Sequence, residues 1–401
     1  MAALPVVGLE IGTSKIVALV GEWRDDGIIM ITGMGERAST GVRKGEVIDL
    51  ANAAVVVRSV LSMAEERSNV SIGEVLLAVS GGHMQGLTNR GTVPVMSGDG
   101  KIARGDVDDA MDIAKAVNLP PEREILHTIS QHFCIDNDHR VVNPEGLHGG
   151  HLSVDMLVIH GVRNRLNSIV QAARNVPVDV EDVAFSGLCS ALSVLIPEQK
   201  KNGVVVIDLG GGKTDYLVYA GGVVAEAGVL AVGGDHVTND ISIGFGIPNA
   251  QAEMLKRETG SVDLRALVPA PTVTLPPEGS FTGRDVSVAA LNQVMHARLD
   301  ELLRMLKRRL ENSDVLHQLG WGVVLTGGGA HLRGIVPLAE SIFKLHCEVG
   351  RPRNVSGLTQ ASSGPEYATV CGLVQYGYMT RREPTRGGGT LKSWLTGLLP
   401  R

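Results

Sequence analysis

The sequence predicts an α/β protein built as two related domains around a nucleotide cleft, and three observations lead there. The first is a repeated hairpin. Gly8-Leu9-Glu10-Ile11-Gly12-Thr13-Ser14-Lys15 runs into an apolar stretch ending at Val20: a strand, an acid, a small-residue turn and a second strand. Residues 204–219 have the same build, with Asp208-Leu209-Gly210-Gly211-Gly212-Lys213-Thr214-Asp215 at the turn. The second is a further glycine run, Gly327-Gly328-Gly329, at the end of apolar residues 322–326. The third is bulk composition: 401 residues exceed one ordinary core. A 44% hydrophobic content with 3% aromatics and 50 glycines suits a Val-, Leu- and Ile-rich chain with many tight turns.

Glycine turns let backbone N–H groups close around an anion with no Cβ in the way. Gly12, Thr13, Ser14 and Lys15 are therefore the expected first phosphate loop, and Gly210, Gly211, Gly212 and Lys213 the second. A carboxylate beside such a loop can hold hydrated Mg²⁺, which singles out Glu10 and Asp208 at the strand ends. Asp208 is also the first choice for positioning an attacking water. The third run, Gly327 to Gly329, serves the rest of the nucleotide.

The elements follow in order. Residues 4–20 read as a β-hairpin and 28–34 as a third strand. Residues 50–67 have helical periodicity, and 75–80 form a short buried strand. From about residue 84 the texture changes to a small α/β insertion: a helix over 104–117 with acids in its first turn, then alternating strands over 127–135 and 151–159. Five of the twelve histidines fall within 127–151. With no helical i,i+4 pair to ligate a metal, they read as solvated loop or strand residues. Helices are expected over 163–175 and 188–195, and a polar linker over 197–202. Residues 249–260 form a helix stopped by Gly260. Four prolines within 268–283 indicate loop and edge strand. A long amphipathic helix covers 291–310, with Asp300/Arg304 and Lys307/Glu311 at i,i+4 spacing. A strand over 322–326, a helix from Gly334 and a last helix over 367–378 complete the body.

The net charge of −6 argues against nucleic acid as a partner. Four scattered cysteines (Cys134, Cys189, Cys347, Cys371) fit reduced thiols rather than zinc. The start carries no basic region followed by an apolar one, so no signal peptide is expected. No apolar run approaches the ~18–20 residues of a membrane span. The C-terminus differs from the rest. Behind a basic, glycine-ended linker over 381–389, Leu391, Trp394, Leu395, Leu398 and Leu399 form an i, i+3, i+4, i+7, i+8 stripe. Arg381, Arg382, Arg386, Lys392 and Arg401 face only one acid, Glu383, in this segment. A basic amphipathic helix on an acidic protein is expected to lie on an anionic membrane, weakly unless multivalent.

The three glycine motifs, in this order, resemble those of the actin, Hsp70 and sugar-kinase superfamily. Within it the chain is similar to the FtsA family of bacterial actin-like division proteins. Gly8 to Lys15 is close to that family's opening, with Glu10 in place of the commoner Asp. Gly41-Val42-Arg43-Lys44-Gly45, Phe185-Ser186-Gly187-Leu188, Val237-Thr238-Asn239-Asp240-Ile241 and Val324-Leu325-Thr326-Gly327-Gly328 resemble family segments, as do the insertion and the tail. The resemblance implies an actin-like (duplicated RNase H-like) ATPase fold with ATP and Mg²⁺ in the cleft. It divides the chain into subdomain 1A (1–83, 161–200, 355–380), an inserted subdomain 1C (84–160), 2A (201–240, 317–354), 2B (241–316) and the linker with its terminal helix (381–401). Adenine would sit over Gly327, Gly328 and Gly329, and Glu253 with Lys256 would reach the ribose and base.

The role implied is an assembly protein that polymerises and tethers the C-terminal tail of the tubulin-like FtsZ, through subdomain 2B, to the inner face of the cytoplasmic membrane at the septum. Further division proteins would act downstream. Two departures stand out. Lys213 occupies a position where Thr or a small residue usually follows the third glycine. The stretch Ala184-Phe185-Ser186-Gly187 carries no acid where filament-forming relatives have an acid or amide, which implies slow or no ATP hydrolysis. Rival readings are a PilM-like pilus scaffold and a small-molecule kinase or phosphatase of the same superfamily.

Overall fold

A computed structural model of the chain describes residues 5–24, 26–265, 271–277, 281–357 and 364–382. Most of the linker, and the terminal stripe from Leu391 to Leu399, lie outside the described residues.

The two hairpins form as their patterns require. Val6–Ile11 pairs antiparallel with Lys15–Trp23, and Val204–Leu209 with Thr214–Ala220. Each turn is closed by the same bond. The Gly12 N–H donates to the Lys15 carbonyl at 3.0 Å, and the Gly210 N–H to the Lys213 carbonyl at 3.0 Å. Repetition extends to topology. On its other side each first strand has a parallel neighbour, Glu74–Val79 in one half and Gly322–Thr326 in the other. Each second strand is followed antiparallel by a third, Ile29–Ala38 or Val223–Leu230. Strands covered on both faces read as continuous apolar runs rather than alternations, and every residue of Val204–Leu209 is buried.

Asp179–Phe185 and Val355–Gly357 add the outer strands of the first, six-stranded sheet. In the second sheet, Cys347–Val349 lies outside Gly322–Thr326. Past Val223–Leu230 that sheet continues through one residue pair, Gly228 with Gln85, into Gln85–Pro94, His151–Val162, Arg123–Ile135 and His139–Val141. These four strands and the helix Arg104–Lys115 have their own apolar core, which includes Val107, Ala110, Phe133 and Val154. The two halves have larger cores of their own. The last helix, Ala368–Arg382, packs back on the first half, with Val370, Leu373 and Val374 buried.

Val288–Asn312 is the long amphipathic helix expected. It is capped by the Ser287 hydroxyl, and buries Leu291, Met295, Leu299, Leu302, Leu306 and Leu310. The foreseen ion pairs are present on its solvent side, Arg304 with Asp300 at 2.7 Å and Lys307 with Glu311 at 3.7 Å.

Three readings change. Residues 197–202 are a short helix, Pro197–Asn202, not an extended linker: Pro197 stands at its first turn and the Gln199 side chain accepts the Ile196 N–H. The histidines of the insertion are not all solvated. His127 is only 1% exposed, because Arg123–Ile135 is covered on both faces where His127 stands. The helix Gly234–Phe245 has no counterpart in the sequence reading. Of the proline-rich stretch 268–283 only part is described, including the strand Thr272–Leu275, paired with Arg284–Ser287.

Candidate nucleotide site

The two glycine turns lie close against each other. A Cβ on Gly211 would lie 3.3 Å from the Ser14 Cβ; one on Gly212 would lie 2.6 Å from the Thr13 hydroxyl and 2.7 Å from the Lys44 Cα. Glycine at both positions is what lets the halves approach this closely. Thr13 is fixed by accepting the Gly45 N–H at 2.8 Å. Lys15 is directed elsewhere, paired with Glu36 at 3.2 Å and 3.6 Å over the Tyr367 ring.

Behind the turns stand the two predicted carboxylates. Burial, reinforced by the negative charge of Asp208, pushes the Glu10 carboxyl up to about 7. Its Oε2 is buried with no hydrogen-bond partner. Burial also raises Asp208, against the hydrogen bonds that favour its ionised form. Those bonds reach Oδ2, from the Ser190 hydroxyl at 2.5 Å and the Thr369 hydroxyl at 2.9 Å. On the other side of Asp208 the third glycine run begins. Gly327 adopts φ +78°, and a Cβ there would lie 2.2 Å from Asp208 Oδ1. Gly328 would meet nothing within 4 Å, and Gly329 backs onto Leu209. The structure thus brings Asp208 between the second turn and the third glycine run.

Glu253 and Lys256 stand one layer behind the second turn. The Lys256 ammonium, on a residue 7% exposed, donates to Gly234 O at 3.1 Å, Thr238 Oγ1 at 2.8 Å and Glu253 Oε2 at 2.5 Å. The helix that begins at Gly234 is tied to the turn itself: the Gly234 N–H donates to Gly210 O at 2.9 Å and the Asp235 N–H to Gly211 O at 2.7 Å. The pair therefore braces the second glycine turn.

Four participants escaped the sequence reading. Asp215 sits directly opposite Asp208 in the hairpin register and is 3% exposed. It accepts from the Lys213 ammonium and from the hydroxyl of Ser80, a residue of the first half. Register was the available signal for Asp215. Ser190 and Thr369 stand on helices distant in sequence, and Ser80 follows the strand Glu74–Val79. Lys213 points inward rather than to solvent.

The donor set fits a hydrated magnesium ion. The orphaned Glu10 oxygen is an acceptor that a metal-bound water would satisfy, and Asp208 offers a second. Among the described residues no three His, Cys, Asp or Glu side chains are grouped to hold a metal directly. Magnesium would then be held by Glu10 and Asp208 through water, neutralising phosphate charge.

Known proteins place this architecture. The chain is 33% identical to the cell division protein FtsA of Pseudomonas aeruginosa over 372 residues, covering 93% of this chain and 89% of that protein. It is 35% identical to FtsA of Escherichia coli K12 over 379 residues, covering 93% and 90%. The chain belongs to the FtsA family. The family profile described as cell division protein FtsA matches residues 205–372, and that of the SHS2 domain inserted in FtsA matches residues 81–160, the strands and helix of the inserted unit. Among solved structures, the PilM–PilN type IV pilus biogenesis complex superposes with a TM-score of 0.65 at 18% identity, covering 93% of this chain and 98% of that one. MreB5 of Spiroplasma citri bound to AMPPNP gives 0.57 at 14% identity, covering 95% and 98%. These likenesses establish the actin-like ATPase fold. As an FtsA-family member the chain has an actin-like role in cell division.

Proposed function

We propose that this chain binds ATP with magnesium between its halves, polymerises in actin-like fashion, and tethers FtsZ filaments to the cytoplasmic face of the membrane at the division septum. The observation that carries the nucleotide part is the opposition of the two glycine turns, Ser14 against Gly211, with Glu10 and Asp208 behind them. The Thr13 and Ser14 side of the clamp and the Gly210 to Gly212 side would take the phosphates. Gly328, open on its Cβ side, would face the nucleoside.

Turnover is expected to be slow. The acid-free stretch 184–187 packs on the second half, where a Cβ on Gly187 would lie 3.5 Å from Asp215 Cβ. Asp215 is already bound by Ser80 and Lys213 and is poorly placed to act as a base. ATP then serves to hold the halves together, in an assembly unit rather than a small-molecule kinase. Membrane attachment is assigned to Leu391, Trp394, Leu395, Leu398 and Leu399 on the amphipathic pattern alone. FtsZ tail binding, through the segment around 241–314, is assigned by resemblance, and membership of the FtsA family supports it.

Co-sedimentation with anionic liposomes, ATP and an FtsZ tail peptide tests the reading. The full chain should pellet with vesicles and carry the peptide down, and deletion of residues 391–401 should leave both in the supernatant. A truncated chain that pellets as the full one does would defeat the tether. Failure to retain the peptide would defeat the FtsZ assignment.

A further inference from the structure

The sequence places Lys213 in the second phosphate loop, and the structure shows what its charge faces. The Lys213 side chain is 15% exposed and its ammonium is bound to Asp215, whose other oxygen is bound by Ser80 of the first half. Its stem lies on the first half as well, since a Cβ on Gly45 would come 2.8 Å from Lys213 Cδ and Cε. The lysine charge also acts on Glu10 and Asp208, favouring the ionised form of each. One cation of the chain therefore binds one carboxylate directly and acts on two others through its charge.

We propose that Lys213 is a resident cation of the phosphate site, doing part of the charge neutralisation that a divalent ion supplies, so that a nucleoside triphosphate is held with reduced dependence on magnesium. The inference rests on the nucleotide reading above. An ammonium on a four-carbon stem has three donors and several rotatable bonds. It can turn from Asp215 towards a phosphate oxygen without leaving the floor between the two turns. A metal entering the site meets carboxylates already partly neutralised and binds less strongly for it. Phosphate entering without a metal meets a positive charge where it would otherwise meet only acids.

ATP binding to the full chain, measured by calorimetry in magnesium and again in EDTA, decides the matter for the wild type, Lys213→Met and Lys213→Arg. Lys213→Met should weaken binding by about tenfold or more in EDTA and by clearly less in magnesium, the scale of one charge-assisted hydrogen bond. Lys213→Arg, which keeps the charge, should leave the ratio of the two affinities near that of the wild type. Should the Met variant not fold, Lys213→Gln, which retains a donor for Asp215 without the charge, gives the same comparison. Equal losses in both buffers, or an unchanged ratio, overturn the proposal while leaving the nucleotide reading intact. A wild-type chain that binds no ATP in either buffer overturns both.

Discussion

Replacing His127 with glutamine should remove about 2 kcal/mol of acid sensitivity from the fold. Burial alone depresses this imidazole from 6.5 to about 3, and its Nε2 accepts the Phe185 N–H at 2.8 Å. The proton is then on Nδ1, which has no partner. Because the folded value lies below the unfolded one, the unfolded chain takes up a proton that the folded chain refuses. The stabilisation is complete above about pH 6.5 and is lost as pH falls towards 3. At about pH 5, one and a half units below the unfolded value and at about 1.4 kcal/mol per unit, the loss is about 2 kcal/mol. Glutamine keeps an acceptor for Phe185 and does not titrate. Urea unfolding at about pH 7.5 and about pH 5 should show a drop on acidification smaller in the variant by that amount. Any packing cost is common to both pH values and cancels. His83, depressed to about 4 chiefly by burial, leaves a residual slope in both proteins. Equal drops in wild type and variant would refute the assignment of acid sensitivity to His127.

Other perturbations act on the cleft itself. Gly327→Ala forces a side chain into φ +78° and to 2.2 Å from Asp208 Oδ1. It should cost about 1–3 kcal/mol in thermal stability and abolish ATP binding in calorimetry. Gly212→Val places bulk between Thr13 and Lys44, and should open the halves, read as a larger radius of gyration by small-angle scattering in the presence of ATP. Ser190→Ala removes the 2.5 Å donor to Asp208 while Thr369 remains. It should weaken magnesium-dependent ATP binding by about 1–2 kcal/mol, with less effect in EDTA.

What the sequence made legible was what short-range rules govern. The hairpins and the long helix at Val288–Asn312 could be read from runs, turns and spacing, because each depends on near neighbours. The helix Gly234–Phe245 could not. It opens on glycines and contains Val237, Thr238, Asn239, Asp240 and Ile241, residues of modest helix propensity. Tertiary bonds secure its first turn, where the Gly234 and Asp235 N–H groups donate to the carbonyls of the second glycine turn. His127 was misread because alternation over 127–135 implies one solvent face, whereas His127, Thr128, Ile129 and Ser130 are all buried. Gly12, Glu10, Asp208, Gly211 and Gly212 could be singled out as candidates because their chemistry lies within one turn. Ser80, Ser190 and Thr369 were not, because hydroxyls gain a role only when the fold brings a carboxylate to them.

The inserted unit is bonded through His127 to the helix that carries Ser190. This histidine is on a strand of the unit, and its acceptor nitrogen holds the N–H of Phe185. Phe185 is the N-cap of Ser186–Val194, the helix from which Ser190 reaches Asp208. A displacement of the inserted strands would therefore be felt at a carboxylate of the candidate nucleotide site through one hydrogen bond, one buried helix and one hydroxyl. All nine residues of that helix are buried, so it has little freedom to absorb a shift locally. Coupling of this kind is reciprocal. If ATP tightens the Ser190–Asp208 contact, it must also protect the Phe185 amide from hydrogen exchange, and in His127→Gln that protection should shrink. Protection at Phe185 that ignores ATP in the wild type would leave the inserted unit and the cleft as independent parts of one chain.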